Sequence, residues 1–266
     1  MRNYLIMVEG PHDVAVVSRC IKLCGITKEY KKQKEVPQLW QRLIPTRYPF
    51  DGENLDRIAQ QPTFMGNEDV SIAIKTARSD VQLLSELERI CHDLKIDEKA
   101  QISGVLLICD ADQKTAAEKR DIILKKVVMN EGFSVEKQED HFMLRLEEIE
   151  KGERISIPME IYVFPDNCNP GTLEDILLEA AQTQFPELLD PATDYIQGVE
   201  QETYTELKNL SGQKKAIVGC ICNVLRPGKA NQIAVSDTKW ISEDTISCQG
   251  VQGLYEMIQR FLVNQA

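Results

Sequence analysis

The apolar residues of the chain fall into short continuous runs and longer periodic ones, and the alternation between the two predicts the fold. Tyr4 to Val8 is continuously apolar, too short for a helix, and stops at Glu9-Gly10-Pro11, which predicts a buried strand. A helix is expected at once. Pro11 suits a first helical turn, Asp13 places favourable negative charge there, and Val14, Val17, Ile21 and Leu23 form an apolar face up to Gly25. Val70 to Lys75 alternates like a strand, and Ser79 to Lys95 carries Val81, Leu84, Leu87, Ile90, Cys91 and Leu94 at helical spacing, with Ser79 as N-cap. Gly104 to Cys109 is a second wholly apolar run, ending at Asp110-Ala111-Asp112 and followed by a charged amphipathic helix from Thr115 to Asn130. Met159 to Phe164 is a third, broken by Pro165 to Gly171, after which Thr172 opens a helix through Leu173, Ile176, Leu177 and Ala180. Strands alternating with helices predict an α/β fold with a mostly parallel sheet.

Two stretches depart from that rhythm. Residues 27–67 hold a lysine-rich segment, four prolines and scattered aromatics, and read as an insertion with a short strand at Leu39 to Ile44. After Pro186 the pattern turns helical, at about Asp194 to Asn209, Lys214 to Leu225 and Val251 to Val263. The expected organisation is an α/β domain over residues 1–185 and a C-terminal, mainly helical extension over 186–266. The pattern leaves open whether that extension is a separate layer or part of the same core.

Composition narrows the function classes. The chain has 266 residues, 42% hydrophobic and 27% charged, the balance of a soluble globular protein. Lys and Arg number 31 against 42 Asp and Glu, a net charge of −11, which argues against a cationic, sequence-blind coat on nucleic acid. A small phosphate-handling site stays open if metal ions supply positive charge locally. None of the 8 cysteines sits in a Cys-x-x-Cys pair, so they are expected reduced rather than zinc-bound. The opening residues are too short an apolar stretch for a secretory signal, and no run approaches the ~20 apolar residues of a membrane span, so a cytoplasmic location without membrane association is expected.

The chemistry is concentrated where strands end. In an open parallel sheet the carboxyl ends of the strands share one edge, where ligands bind. Glu9, Asp110 with Asp112, and the acids between Asp166 and Asp175 should therefore converge. If extended geometry continues past Cys109, Asp110 and Asp112 leave the same face, a spacing suited to divalent cations, and Asp13 approaches from the first turn of its helix. Each acid has a plainer reading. Asp13 can complement a helix dipole, Thr172 with Asp175 forms a capping-box pattern, and an isolated Asp-x-Asp often just closes a strand. Their recurrence after separate buried strands favours chemistry, because gathered carboxylates are electrostatically costly without cations.

Val8-Glu9-Gly10-Pro11-His12-Asp13 after one strand and Leu107-Ile108-Cys109-Asp110-Ala111-Asp112 after another resemble the TOPRIM domain of topoisomerases, bacterial primases, ribosomal RNA maturases and OLD-family nucleases. Asp13 and the Gly171-Thr-Leu-Glu-Asp175 motif look most like small stand-alone proteins of the OLD-like branch. The chain carries no Walker-type phosphate loop and no primase-like zinc cysteines. The resemblance implies a Rossmann-like TOPRIM fold and a nuclease that hydrolyses phosphodiester bonds of DNA or RNA, transfer RNA included, with Mg2+ or Mn2+. In a two-metal scheme Glu9 and Asp13 would hold one ion and Asp110 the other, with Asp112 and Glu174 in support. Glu9, Asp110, Asp112 and Lys215 would be the catalytic residues. Lys215 would offset charge in the transition state, with Lys214 and Lys239 as rivals, although a helical lysine is commonly just solvated. His12 could touch a phosphate or be an ordinary turn histidine. Lys28 to Lys34, with Trp40, Arg42 and Arg47, would contact substrate unless they form a solvated loop. The resemblance also implies control by a partner ATPase in antiviral defence. A non-catalytic module that binds metal or nucleotide and regulates a partner, and a nucleotidyl- or phosphotransferase, are the alternatives.

Overall fold

Residues Arg2–Val8 form β1, whose side chains from Asn3 on are all buried, and both sheet neighbours of this strand run parallel to it. The computed structural model describes residues 1–45, 50–51, 54–55, 61–77, 79–125, 132–139, 141–148 and 152–263. Chain order continues with α1 (Pro11–Leu23), β2 (Lys28–Glu29), α2 (Gln38–Gln41), β3 (Phe50–Asp51), β4 (Asn54–Leu55), β5 (Thr63–Gly66), β6 (Val70–Thr76), α3 (Leu83–Asp93) and α4 (Ile96–Lys99). It then runs through β7 (Ile102–Asp110), α5 (Ala116–Lys125), β8 (Phe133–Lys137), β9 (Phe142–Glu148), β10 (Glu153–Phe164), α6 (Leu173–Gln184) and α7 (Pro186–Gly198). The last elements are α8 (Leu210–Leu225), α9 (Asn231–Asp237) and α10 (Gln249–Val263).

The main sheet has 8 strands in the order β2-β5-β6-β1-β7-β10-β9-β8. Its centre, β6-β1-β7-β10, is parallel, and antiparallel strands extend both sides. Alternation along each central strand divides the core into two layers. Tyr4, Ile6 and Val8 of β1 pack with α1, α6 and the C-terminal helices, whereas Leu5 and Met7 pack with α3, α5 and Trp40 on the opposite face. The result is a three-layered α/β fold with the sheet between helices.

The C-terminal residues belong to the first of these layers. Trp240, Ile241, Leu254 and Phe261 share one apolar cluster with Tyr4, Ile6 and Val17. The rings of Tyr4 and Phe261 lie 5.0 Å apart, and the Tyr4 hydroxyl donates to the Leu262 carbonyl. The helical extension is thus part of the same core.

Several local expectations are corrected. Leu39 to Ile44 contains no strand: Gln38–Gln41 is a helical turn with Leu39 and Trp40 buried, and the Trp40 indole donates to Ser71, which donates in turn to Asn3. Ser79 caps no helix with its side chain; a 3-10 turn intervenes, α3 begins at Leu83, and Val81 is exposed. The third apolar strand begins upstream at Glu153, because its first half pairs antiparallel with β9 while its second half pairs parallel with β7. The expected end of the 115–130 helix lies outside the described residues. Among the described residues no helix is long and apolar enough to cross a membrane.

Candidate functional site

The parallel strands run β6-β1-β7-β10 across the sheet although the chain visits β1 first, so the connections from β1 and β7 leave to opposite sides. The crevice at such a reversal is where open α/β sheets bind ligands. Glu9 follows β1 on one side of it and Asp110 ends β7 on the other. They touch: a Glu9 carboxylate oxygen accepts the Asp110 backbone N–H at 2.8 Å.

Two further acids are delivered by helix starts. Gly10 is extended and precedes Pro11, which places Asp13 in the first turn of α1, where its Oδ2 accepts the Gly10 N–H at 2.7 Å. The loop after β10 is tied to the loop after β7 by paired backbone bonds between Asp112 and Gly171, at 2.8 and 2.9 Å. Gly171 is needed there, since its φ is +146° and a Cβ would lie 2.8 Å from the Asp175 carboxylate. That tie brings the N-terminus of α6 over β7, so the Leu173 N–H donates to Asp110 Oδ1 at 2.8 Å and Glu174, buried, accepts from the Thr172 hydroxyl.

Glu9, Asp13, Asp110 and Glu174 therefore meet at one end of the sheet, each with one oxygen held by the fold. Their mutual repulsion is visible in their acidities. Burial, with Asp13, Glu9 and Glu174 close by, pushes Asp110 well above the usual carboxylate range. Burial, Glu9 and Glu174 raise Asp13 from 3.8 to about 7. Glu9 is also raised, chiefly by burial. Among the described residues the second oxygens of Glu9, Asp110 and Glu174 accept no hydrogen bond. The donor set is all carboxylate oxygen, the hard chemistry that Mg2+ and Mn2+ select, so the residues fit such an ion by type and charge. Among the described residues no group of three Asp, Glu, His or Cys is already drawn into a ligand shell. Binding would need these side chains to close in.

The other half of the edge is arranged differently. Asp112 takes the left-handed conformation, φ 58°, which ends the extended geometry of β7. It accepts a hydrogen bond from Lys119 Nζ at 2.7 Å, and Asp80, beyond the end of β6, is 3.1 Å from the same nitrogen. The Lys119 side chain is only 4% exposed. Burial would lower its pKa, but the contacts to Asp112 and Asp80 outweigh burial and raise it. Lys119, Asp80 and Asp112 all act on Glu9, which stands between the two halves.

The sequence matches, over residues 3–253, the family described as a protein of unknown function (DUF3226). The chain belongs to this family. The DUF3226 chain also resembles a solved structure, the crystal structure of hypothetical protein PH0156 from Pyrococcus horikoshii OT3, at 18% identity and a TM-score of 0.57. The match covers 97% of this chain and 99% of that one and speaks for the fold alone. No curated protein matches the chain.

Four of the six acidic and basic residues expected at the site of this DUF3226 chain come together: Glu9, Asp13, Asp110 and Glu174. Asp112 does not share a face with Asp110, because its backbone leaves the strand. Lys215 is exposed on α8 but near enough to lower the pKa of His12, which burial also depresses and Glu174 raises, so both border the cluster. Lys214 is 2.5 Å from Asp175, and Lys239 is 3.8 Å from Asp244. Asp166 does not converge with the others; it folds its own loop by accepting the N–H groups of Cys168 and Asn169. Of the expected substrate contacts, Trp40 is fully buried, Arg42 pairs with Glu98 at 3.1 Å, Lys28 to Lys34 lie on the surface apart from the carboxylates in the sheet, and Arg47 lies outside the described residues. Sequence reasoning missed Asp80 and Lys119. The available signal was an inward helical position, since Lys119 shares the buried side of α5 with Ala116 and Ile123.

Proposed function

We propose that this DUF3226 protein is a divalent-metal-dependent nuclease built on a TOPRIM-like arrangement, hydrolysing phosphodiester bonds in DNA or RNA. The observation that carries the reading is the meeting of Glu9, Asp13, Asp110 and Glu174 at the strand reversal, where burial and neighbouring acids raise the pKa values of Glu9, Asp13 and Asp110. A fold that gathers four acids without a cation among them stores repulsion that a bound cation relieves. A bound Mg2+ or Mn2+ supplies Lewis-acid polarisation of a phosphoryl oxygen and lowers the pKa of water.

The protein's own part is to hold the carboxylates and dispose charge around them. Glu9 and Asp110 are fixed to each other by the bond between them, Asp13 by the Gly10 N–H and Glu174 by Thr172. The exposed Lys215 ammonium beside His12 would meet the phosphate from the solvent side. The net charge of −11 supports weak intrinsic affinity for a polyanion, in keeping with an effector held on its substrate by a partner, and the resemblance names an ATPase of antiviral defence as that partner. A non-catalytic module that binds metal and regulates a partner is the second reading, favoured by the open spacing of the carboxylates.

The test is incubation of the purified protein with total RNA and with plasmid DNA, in Mg2+ or Mn2+, with and without any ATPase encoded beside it. Cleavage that falls at least about 100-fold in both Glu9→Ala and Asp110→Ala is expected, a loss of the size seen when groups supporting a metal centre are removed. A folded, metal-binding protein that cuts neither polymer under any of these conditions would favour the regulatory module.

A further inference from the structure

The buried lysine changes the metal count that this edge can support. The order β6-β1-β7 sets Asp80 and Asp112 beyond the ends of the two strands flanking β1, and Lys119 Nζ joins them, 3.1 Å from one and 2.7 Å from the other. Glu9 follows the strand between them, and Lys119, Asp80 and Asp112 all act on its carboxylate. We propose that the Lys119 ammonium stands where a second divalent cation would otherwise bind, so that the site takes a single divalent ion, on the side of Glu9 bounded by Asp13, Asp110 and Glu174.

The inference rests on the metal-dependent reading above and refines it. Three features of the structure carry it. Lys119 is placed by design of the helix rather than by chance of the surface: Ala116, Lys119 and Ile123 form the inward side of α5, and a lysine only 3% exposed is retained at such a position when acids meet it. The acids it meets lie just beyond the two strands that flank β1, beside Glu9, where a second ion would need them. Among the described residues Asp13, Asp110 and Glu174 form no ion pair with a lysine or arginine; Lys215, exposed on α8, lies close to His12. A fixed positive charge also repels a dication placed beside it, and that repulsion is strong in a poorly solvated crevice. One half of the edge thus carries a counter-charge from the chain itself, and the other half is left for an exchangeable ion.

The test counts bound ions, independently of cleavage. Mn2+ titration followed by the electron paramagnetic resonance signal of free Mn2+ gives the stoichiometry for the wild type, for Lys119→Gln and for Lys119→Arg, with circular dichroism melts to verify folding. A single Mn2+ per chain is expected in the wild type and in Lys119→Arg, where a positive charge remains. A second, weaker Mn2+ is expected in Lys119→Gln, and it should disappear again in Lys119→Gln/Asp80→Asn. Two ions in the wild type, or one in folded Lys119→Gln, would overturn the inference while leaving the metal-dependent reading intact. If Lys119→Gln does not fold, the wild-type count decides alone. No Mn2+ bound to the wild type would sink the metal-dependent reading, and this inference with it.

Discussion

The two halves of the carboxyl edge solve the same electrostatic problem in opposite ways. On one side Asp80 and Asp112 are bridged by Lys119, and on the other Asp13, Asp110 and Glu174 face each other with one oxygen apiece committed to the backbone or to Thr172. The first half is a buried lysine bridging two acids, one of them Asp112 with a side chain 60% exposed. The second is tolerable only because its acids hold protons more tightly, as the raised pKa values of Asp13 and Asp110 record. The difference separates charge placed for stability from charge placed for binding, although both kinds lie a few residues apart in sequence.

The widest test of that contrast is pH. Asp13 is raised from 3.8 to about 7, so between those values the folded chain keeps a proton that the unfolded chain has lost. Stability therefore falls as pH rises through this window, the penalty being absent below 3.8 and complete above about 7. The raised carboxyls of Asp110 and Glu9 act in the same direction. Urea denaturation of metal-free protein should show a loss on the order of 2–4 kcal/mol from pH 5 to pH 8 traceable to this cluster, a size set by 1.36 kcal/mol per unit. Mg2+ should restore much of it at pH 8 and little at pH 5. The Lys119 half contributes no such slope, because its lysine stays charged throughout. A cluster-dependent stability that is flat with pH, or a Mg2+ effect equal at both values, would contradict the contrast.

Single substitutions should then move the halves in opposite directions. Lys119→Ala leaves Asp80 and Asp112 without their cation and should cost roughly 2–3 kcal/mol, at the lower end for buried pairs because the Asp112 side chain is 60% exposed. Asp110→Asn removes repulsion, keeps an oxygen for the Leu173 N–H, and should stabilise the metal-free protein by about 1 kcal/mol. It should also abolish the stabilisation by Mg2+. Urea midpoints with and without Mg2+ read both, and two losses of the same sign would remove the distinction.

Much of this arrangement was legible in the chain, and the parts that were not have a common physical cause. The central strands announced themselves as short apolar runs because both of their faces are covered, and the acids that end them were visible for that reason. Asp13 could be placed because a helix start follows β1 directly, whereas Glu174 rested on the resemblance carried by Gly171-Thr-Leu-Glu-Asp175. The shared face expected for Asp110 and Asp112 required extended backbone past Cys109, and period-2 alternation stops where the chain turns left-handed at Asp112. Lys119 escaped because a lysine on an amphipathic helix is normally solvated, and only the tertiary meeting of Asp80 with Asp112 gives it a reason to be buried. The β8–β9 hairpin and the first half of β10 were missed because their exposed side carries charge, Glu136, Arg145 and Arg154 among it, which breaks the apolar runs. The place of the helical C-terminal residues needed the observation that Trp240 and Phe261 close the same core as Tyr4.

The smallest effect sharpens the contrast within one helical turn. Glu174 and Asp175 are neighbours at the start of α6, yet Asp175 accepts the Thr172 N–H at 2.9 Å and pairs with Lys214, the reciprocal half of a capping box, while Glu174 faces Asp110 and His12. Asp175→Asn should therefore cost about 1 kcal/mol of stability, the usual worth of a cap, and leave Mn2+ affinity within about 2-fold. Glu174→Gln should do the reverse: it removes a like charge from the cluster, so metal-free stability holds or rises, while Mn2+ affinity falls about 10-fold or more as a ligand or its close support is lost. Equal losses of Mn2+ affinity in the two variants would mean that the helix start as a whole, rather than the Glu174 carboxylate, supports the ion. The expected split assigns adjacent acids of one motif to different tasks, which is the distinction between the two halves of the edge drawn at the scale of a single residue.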